Sequence, residues 1–420
     1  MSTENTNENL SLLNKIQNVF KGKEKSPDED KKITEIITSK NYPLETHKIE
    51  TVDGYILTIF RIPSSRHNII TDSKKPPILF QHGILDSSDG FICNKEEHCL
   101  PFILANKGYD IWISNSRGNK HSKEHKKYSV NDFEFWQFSL HEMGLYDLPS
   151  ILEYIKDKNK SGERIIYIGH SQGTAMLFAA LTTQCEYFKQ YIKLFIALAP
   201  IARITHMASG ILTSLENLNA HKLFKVIKMY EILPEDKFGM SSISSFFNNK
   251  FSGLTNFSLS LISDEKSNEN NDPIQLGVFL KHFPSGTSLK ALIHFVSIFK
   301  HKEFVHYDYG KEANMFIYKQ KEPLAYNLGN IIDFPIMLLG GEDDMLSTPN
   351  DVNWLNEQIK NNVIYYNIFP NMGHASFLIG KNVDWFETPL KIIEEKFKFS
   401  DNFKDFNKGI KKPVPKGIFD

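Results

Sequence analysis

Hydrophobic and polar positions alternate with different periods along this chain, and these periods predict where strands and helices lie. Residues 47–62 alternate around the pair Asp53-Gly54, which predicts a β-hairpin. Six continuous apolar runs farther along are typical of strands that are covered on both faces. These runs are Pro76–Gln81, Tyr109–Ser114, Arg164–Gly169, Leu194–Ala199, Pro335–Leu339 and Val363–Phe369.

Segments with helical periodicity lie between several of these runs, notably Leu140–Lys156 and Thr174–Cys185. Strands that alternate with helices indicate an α/β fold, in which a mostly parallel central sheet carries helices on both faces. The stretch 201–325 departs from this alternation and contains an Asn- and Ser-rich interruption with several Phe residues. We interpret it as a mainly helical cap or lid inserted between two strands of the sheet.

The same patterns predict five regions of the chain. A core of two parts is expected around the cap, with a polar segment at each end. The regions are a polar, mostly disordered segment 1–31, the first core part 32–200, the cap 201–325, the second core part 326–400 and a tail 401–420.

Composition excludes some classes of partner. The net charge is -1, with Lys+Arg 49 against Asp+Glu 50, which gives no electrostatic reason to expect nucleic acid. No apolar run approaches the ~20 residues that a transmembrane helix requires. The three cysteines are too few for a disulfide framework, and buried free thiols at Cys93 and Cys99 are favoured over a bond between them. Oligomeric state cannot be read from these features.

The most specific motif is Gly169-His-Ser-Gln-Gly173, which follows an apolar strand and precedes a helical run. In this strand–turn–helix context, Gly-x-Ser-x-Gly is the nucleophile elbow of the α/β-hydrolase fold. The turn is so tight that glycine is expected at 169 and 173, and it would hold the Ser171 hydroxyl out of the sheet. Ser171 is therefore the candidate nucleophile.

A serine hydroxyl needs an adjacent base, and in this fold the acid and then the histidine follow the serine along the chain. His374 lies just after the last predicted strand and is the candidate base. Two neighbouring acids follow the preceding strand: the spacing from Gly341 is compatible with Asp343 and with Asp344. We favour Asp344, with Asp343 as the alternative acid.

The negatively charged oxygen that forms during ester cleavage needs backbone N–H donors, each contributing ~3 kcal/mol. One is expected from Gln172, which follows the nucleophile. The loop after the strand at 76–81 offers a second, which we assign to Ile84. We interpret His82 as a packed residue that braces this loop. This chemistry requires no metal and no cofactor, and none is predicted.

The motifs together resemble the acid lipase family, which includes gastric, lingual and lysosomal acid lipases and their sterol-ester hydrolase relatives. The resemblance runs from about residue 33 to 395 and rests on several specific stretches. They are Asn41-Tyr-Pro-Leu-Glu45, Gln81-His-Gly-Ile-Leu-Asp-Ser-Ser88, Ser114-Asn-Ser-Arg-Gly-Asn119, Phe135-Trp-Gln-Phe-Ser-Leu-His-Glu-Met-Gly-Leu-Tyr-Asp-Leu-Pro149 and Tyr167-Ile-Gly-His-Ser-Gln-Gly-Thr174. It implies hydrolysis of neutral-lipid esters, such as triacylglycerols or sterol esters, at a lipid–water interface beneath a lid. It also implies the same roles for Ser171, His374, Ile84 and Gln172.

Three features depart from this family. The chain does not begin with the basic and apolar segments of a secretory signal, residues 201–325 contain no cysteine pair, and Gly340-Gly-Glu-Asp-Asp-Met-Leu-Ser347 holds one extra residue. The sequence therefore predicts a cytoplasmic protein, with lipid-droplet or membrane surfaces as candidate sites of action. A lysosomal or secreted protein is the alternative if a signal is missing from this sequence.

The leading hypothesis is a serine hydrolase that cleaves carboxylic esters of neutral lipids through an acyl-enzyme intermediate. An esterase or thioesterase acting on soluble acyl substrates is the alternative among enzymes. An inactive hydrolase fold that only binds lipid is the alternative outside enzymes, although the nucleophile, base and acid candidates are all present.

Overall fold

Apolar runs of the sequence become the strands of one central sheet. The structure, a computed structural model, describes residues 25–67, 75–207, 230–232 and 270–396. Within those ranges nine strands belong to the central sheet and two form a small separate ribbon. The strands are β1 Glu45–Glu50, β2 Tyr55–Ile62, β3 Ile78–Gln81, β4 Ile111–Ile113, β5 Glu124–His125, β6 Ile165–His170, β7 Ile192–Leu198, β8 Glu231–Ile232, β9 Thr287–Ser288, β10 Ile336–Gly341 and β11 Val363–Phe369.

The order of the sheet is β1-β2-β4-β3-β6-β7-β10-β11, with β5 paired to β2. β1 and β2 form the expected antiparallel hairpin, with Glu45 opposite Arg61, and β2 pairs antiparallel with β4. From β4 to β11 all neighbours are parallel. The predicted α/β class with a mostly parallel sheet is confirmed.

Helices cover both faces of the sheet, as buried parallel strands require. Their bounds are α1 Ile33–Ser39, α2 Leu100–Asn106, α3 Leu140–Glu142, α4 Leu148–Lys158, α5 Gln172–Lys189, α6 Pro273–His282, α7 Leu289–His301, α8 Lys311–Tyr318, α9 Pro349–Ile359, α10 Ser376–Ile379 and α11 Glu387–Lys396. No helix in the described part of the chain is long and apolar enough to span a membrane.

The predicted helix at Leu140–Lys156 is not one continuous α-helix. A π-helical turn at Met143–Asp147 separates α3 from α4. Gly144 explains why the chain fits there, since a Cβ on this residue would lie 2.6 Å from the carbonyl oxygen of Met176 in α5. The turn and α3 thus pack directly on α5, the helix that follows the candidate nucleophile.

Parts of two predicted regions lie outside the described residues. Of the polar segment 1–31, only 25–31 are described, and Asp28 in this part forms ion pairs with Lys31 and with Lys40, the residue after α1. The Phe-rich stretch of the predicted cap lies outside the described residues, and so does the tail 401–420. The described parts of 201–325 include α6, α7, α8 and the ribbon of β8 with β9.

All three cysteines are free thiols, as favoured from the sequence. Cys93 and Cys99 are buried, and each Sγ donates to a backbone carbonyl oxygen, that of Asp89 and that of Phe91 respectively. Cys185 is half-buried.

Candidate active site

Ser171 occupies the sharp turn between β6 and α5. Its backbone has φ 53° and ψ -119°, a region that costs a non-glycine residue about 1–3 kcal/mol. The neighbouring chain leaves no room for side chains on either side. A Cβ at Gly173 would lie 2.4 Å from the carbonyl oxygen of Gln81, and one at Gly169 would lie 2.9 Å from the backbone of Gly173. The strain therefore persists because the elbow is packed tightly against β3.

His374 and Asp344 meet beyond the carboxyl ends of β11 and β10. Nδ1 of His374 lies 2.9 Å from Oδ2 and 3.1 Å from Oδ1 of Asp344. Both side chains are buried. The imidazole can therefore donate from Nδ1 to the carboxylate, which leaves Nε2 as the nitrogen that can accept a proton in the neutral ring.

Asp344 has the surroundings of an ionised carboxylate. Burial alone would raise its pKa, but the charge and hydrogen bond of His374 and the N–H groups of Leu346 and Ser347 lower the pKa below the usual value. These two N–H groups lie 2.9 and 2.8 Å from Oδ1. The neighbouring Asp343 is half-buried, and its N–H donates to the carbonyl oxygen of Met372 at 3.0 Å. Its contact with the histidine loop is thus through the backbone.

The loop after β3 lies directly against the serine. A Cβ added to Gly83 would be 3.1 Å from Cβ and 3.5 Å from Oγ of Ser171. Ile84, the next residue, and Gln172, the first residue of α5, have backbone N–H groups with no acceptor among the described residues. Leu85 then adopts φ 61°, a left-handed conformation that turns the chain away. Two free donors thus flank the serine, as an anionic oxygen would require.

His82 braces this loop from inside the protein. Its Nδ1 lies 2.7 Å from the carbonyl oxygen of Gly83, and its Nε2 accepts the N–H of Ser116 at 3.0 Å. Burial lowers its pKa to about 4, so the ring is neutral near pH 7. The contacts agree with the interpretation of His82 as a packed residue.

His170 is a neighbour of the candidate base that sequence reasoning did not single out. Its Nε2 donates to the carbonyl oxygen of His374 at 2.9 Å, and the centres of the two rings are 4.9 Å apart. Burial and the neighbouring His374 lower its pKa to about 3. The contact joins the residue before Ser171 to the backbone of the candidate base. The variable residue of a Gly-x-Ser-x-Gly motif carries no signal of such a contact.

These groups form a site suited to acyl transfer. A hydroxyl on a strained turn, an imidazole backed by a buried carboxylate, and two free N–H groups lie at the carboxyl edge of one sheet. Among the described residues, no group of three or more His, Cys, Asp or Glu side chains is placed to hold a metal ion.

Comparisons with known proteins identify the fold and relatives of this chain. Residues 33–95 match the partial α/β-hydrolase lipase region, and residues 76–381 match the α/β-hydrolase fold. Human lipase member K is 35% identical over 86% of this chain and 90% of its own length. Bovine gastric triacylglycerol lipase is 34% identical over 84% and 88%, and human lysosomal acid lipase/cholesteryl ester hydrolase is 34% identical over 86% and 89%.

A solved structure supports the fold alone. The α/β-hydrolase GrgF from Penicillium sp. sh18 superimposes with a TM-score of 0.50 at 16% identity, covering 85% of this chain and 97% of that one.

Proposed function

This chain belongs to the acid lipase family of α/β-hydrolases, and from that membership we propose that it cleaves carboxylic esters of neutral lipids through a serine acyl-enzyme intermediate. Relatives named triacylglycerol lipase and cholesteryl ester hydrolase support triacylglycerols and sterol esters as the substrates. The single observation that carries the chemistry is the buried Asp344–His374 pair, which contacts His170, the residue directly before the strained Ser171.

In the proposed reaction Oγ of Ser171 attacks the ester carbonyl carbon while Nε2 of His374 takes the hydroxyl proton. Asp344 holds the imidazole with its Nδ1–H toward the carboxylate and stabilises the imidazolium that forms. The carbonyl oxygen becomes anionic and accepts hydrogen bonds from the N–H groups of Ile84 and Gln172. His374 then protonates the leaving alcohol, and an acyl group remains on Ser171.

Water completes the cycle by the same route. His374 removes a proton from a water molecule, the resulting hydroxide attacks the acyl carbonyl, and collapse returns the proton to Oγ of Ser171 with release of the fatty acid.

Labelling with a fluorophosphonate, followed by activity assays, tests this proposal. The probe is expected to modify Ser171, and Ser171→Ala is expected to lower kcat by ~10⁶ while lipid binding remains. Emulsified long-chain esters should be hydrolysed in preference to dissolved short-chain esters. Preference for dissolved esters or thioesters would favour the soluble-substrate esterase, and absence of labelling would favour an inactive lipid-binding fold.

We also propose that the protein works at a lipid–water interface, to which α8 contributes. Met315 and Phe316 on this helix are 45% and 74% exposed, and Leu324 after it is 39% exposed. The Lys319 ammonium lies 5.4 Å from the Phe316 ring, and Lys311 at the start of the helix is exposed. Exposed apolar side chains flanked by lysines are the pattern that inserts into the boundary of a lipid surface.

Replacing Met315 and Phe316 together by Ser tests the role of α8. The double variant is expected to adsorb several-fold more weakly to triolein emulsions while kcat on a dissolved short-chain ester is unchanged. Val52→Ser is the matched control, because Val52 is also 73% exposed but lies in the β1–β2 turn. Equal adsorption of wild type and both variants would overturn the role of α8.

The cellular compartment of the protein and the extent of its cap are also proposed. The relatives named gastric and lysosomal support a secreted or lysosomal protein over the cytoplasmic one predicted from the sequence. Immunofluorescence of the protein expressed from its complete gene, with lysosomal and lipid-droplet markers, separates the two locations.

We propose residues 201–325 as the cap. The position of α6, α7 and α8 between β7 and β10 along the chain supports this proposal.

A further inference from the structure

One segment of the proposed cap contacts two loops of the candidate site at once. This segment, residues 271–288, contains α6 and β9, and we name it the strap. Its first end lies on the loop that carries His374, and its second end lies on the loop that carries Ile84.

At the first end the contact runs through buried side chains. Oδ1 of Asn271 accepts a hydrogen bond from Oγ of Ser376 at 2.8 Å, and that Oγ accepts the N–H of Gly373 at 2.9 Å. Gly373 directly precedes His374. The N–H of Asp272 also donates to the carbonyl oxygen of Ile379 at 2.9 Å. The backbone beside the candidate base is therefore fastened to the strap by both side-chain and main-chain bonds.

At the second end the strap holds the loop that offers the oxyanion donor. The N–H of Ser285 donates to the carbonyl oxygen of Leu85 at 2.6 Å, and its Oγ lies 3.1 Å from Oγ of Ser87. Leu85 is the left-handed residue next to Ile84. A left-handed leucine is unfavourable without support, so the bond to Ser285 helps to fix the direction of the Ile84 N–H.

A buried charge cluster anchors the same end. The carboxylate of Asp89 accepts from Nδ1 of His282 at 2.7 Å, from Nζ of Lys120 at 2.8 Å and from Nε2 of His121 at 2.7 Å. Burial opposes ionisation of Asp89, but the hydrogen bonds of His121 and His282 and the charges around it hold its pKa well below the usual value. His282, the last residue of α6, thus binds the strap to the turn that follows the oxyanion loop.

The length of the strap suits this connection. β3 and β11 are four positions apart in the sheet, which corresponds to ~19 Å at a spacing of ~4.8 Å per strand. The ten residues of α6 span ~15 Å, and the flanking residues supply the rest. A single helix can therefore bridge loops that the sheet itself keeps apart.

We propose that the strap fixes the position of the His374 loop relative to the oxyanion loop, with Asn271 and His282 as positioning residues for ester hydrolysis. The proposal rests on the proposed function, since it concerns the same site. It also means that any opening of the cap must leave the strap in place.

The first end is tested by a double-mutant cycle in the full-length protein with a dissolved short-chain p-nitrophenyl ester. Asn271→Ala is expected to lower kcat about 10- to 100-fold with little change in KM, because a small misplacement of a catalytic group has an effect of that size. If Asn271 acts through Ser376, the double variant Asn271→Ala/Ser376→Ala should lose no more than Ser376→Ala alone. Additive losses would overturn the assignment of Asn271.

The second end is tested with His282→Leu and an alkyl trifluoromethyl ketone, whose adduct with the serine carries an oxyanion. The variant is expected to lower kcat and to raise the inhibition constant of the ketone by a similar factor, since both depend on the oxyanion donors. A lower kcat with an unchanged inhibition constant would overturn the assignment of His282.

Two control variants separate positioning from stability. Val278→Ala removes buried side-chain volume from α6, and Lys281→Ala breaks an exposed ion pair with Asp30. Both should retain kcat at a temperature where the protein is folded, although Val278→Ala lowers the melting temperature. Equal losses of kcat in Val278→Ala and Asn271→Ala would reduce the strap to a stabilising element. If wild type neither hydrolyses the ester nor reacts with a fluorophosphonate, the proposed function itself fails.

Discussion

At the scale of single residues, Asp344 is held by more bonds than orientation of one imidazole would need. Its Oδ1 accepts two backbone N–H groups, and its Oδ2 faces His374. Nearby, Oγ of Ser347 donates to the carbonyl oxygen of Pro200 at 2.7 Å and ties the acid loop to the end of β7. The carboxylate is therefore fixed before any substrate binds, as the proposed role of His374 as the base would require.

Replacing each of the two neighbouring acids tests which of them supports the base. We expect Asp344→Asn to lower kcat by ~10⁴, because an amide in this place favours the wrong imidazole tautomer. Asp343→Asn should stay within a few-fold of wild type, since its contact with the histidine loop is made by its backbone. Steady-state kinetics on a short-chain ester would decide, and a large loss in Asp343→Asn alone would reverse the assignment.

At the scale of elements, the elbow depends on how closely α5 approaches β3. We expect Gly173→Ala to lower the free energy of unfolding by about 1–3 kcal/mol, because its Cβ would collide with the carbonyl oxygen of Gln81 at 2.4 Å. The shift of α5 should also lower kcat. Chemical denaturation measures the first effect. Thr183→Ala, an exposed position near the far end of α5, is the control and should change stability by less than about 0.5 kcal/mol.

Elements with a strong local pattern were predictable, but their exact ends were predicted for only some of them. Val363–Phe369 has the predicted bounds, whereas the run Tyr109–Ser114 yields only Ile111–Ile113 as a strand. Pairing with β2 and β3 decides where that strand ends, and pairing partners are remote in sequence. The π-helical turn at Met143–Asp147 depends on contact with Met176, so helical periodicity alone could not reveal it.

The candidate site likewise contains residues that the sequence could suggest and contacts that it could not. Ser171, Asp344 and His374 could be proposed as candidates because each follows a recognisable strand, and the fold brings strand ends to one edge. The hydrogen bond of Asn271 with Ser376 joins residues 105 positions apart through two common polar side chains. Nothing in the local sequence distinguishes them from surface residues, so this contact required coordinates.

At the scale of the whole molecule, buried titratable groups make stability depend on pH in opposing directions. Burial lowers the pKa of His294 to about 4 and that of His306 to about 3. The unfolded chain protonates these residues near pH 6.5, so stability falls as the pH drops below that value. Asp86, in the loop after β3, acts in the other direction, because burial and the charge of Asp89 raise its pKa from 3.8 to about 7.

The variant Asp86→Asn isolates the contribution of Asp86 to the pH dependence of stability. In wild type the folded state retains the Asp86 proton to about pH 7 while the unfolded state loses it near pH 3.8, so this contribution is lost as the pH rises between those values. The variant should gain about 2–3 kcal/mol of stability relative to wild type between pH 5 and pH 8. Urea denaturation at both pH values is the measurement. If the free energies of unfolding of the two proteins change with pH in parallel, the raised pKa of Asp86 is contradicted.

The buried thiol of Cys93 makes the turn around Asp89 observable without an added label. Its Sγ is bonded to the carbonyl oxygen of Asp89, and burial raises its pKa well above the usual value. A thiol reagent can therefore reach it only when this turn opens, whereas the half-buried Cys185 should react first. The rate of Cys93 modification, followed by mass spectrometry, would thus report local opening around Asp89 in the native protein.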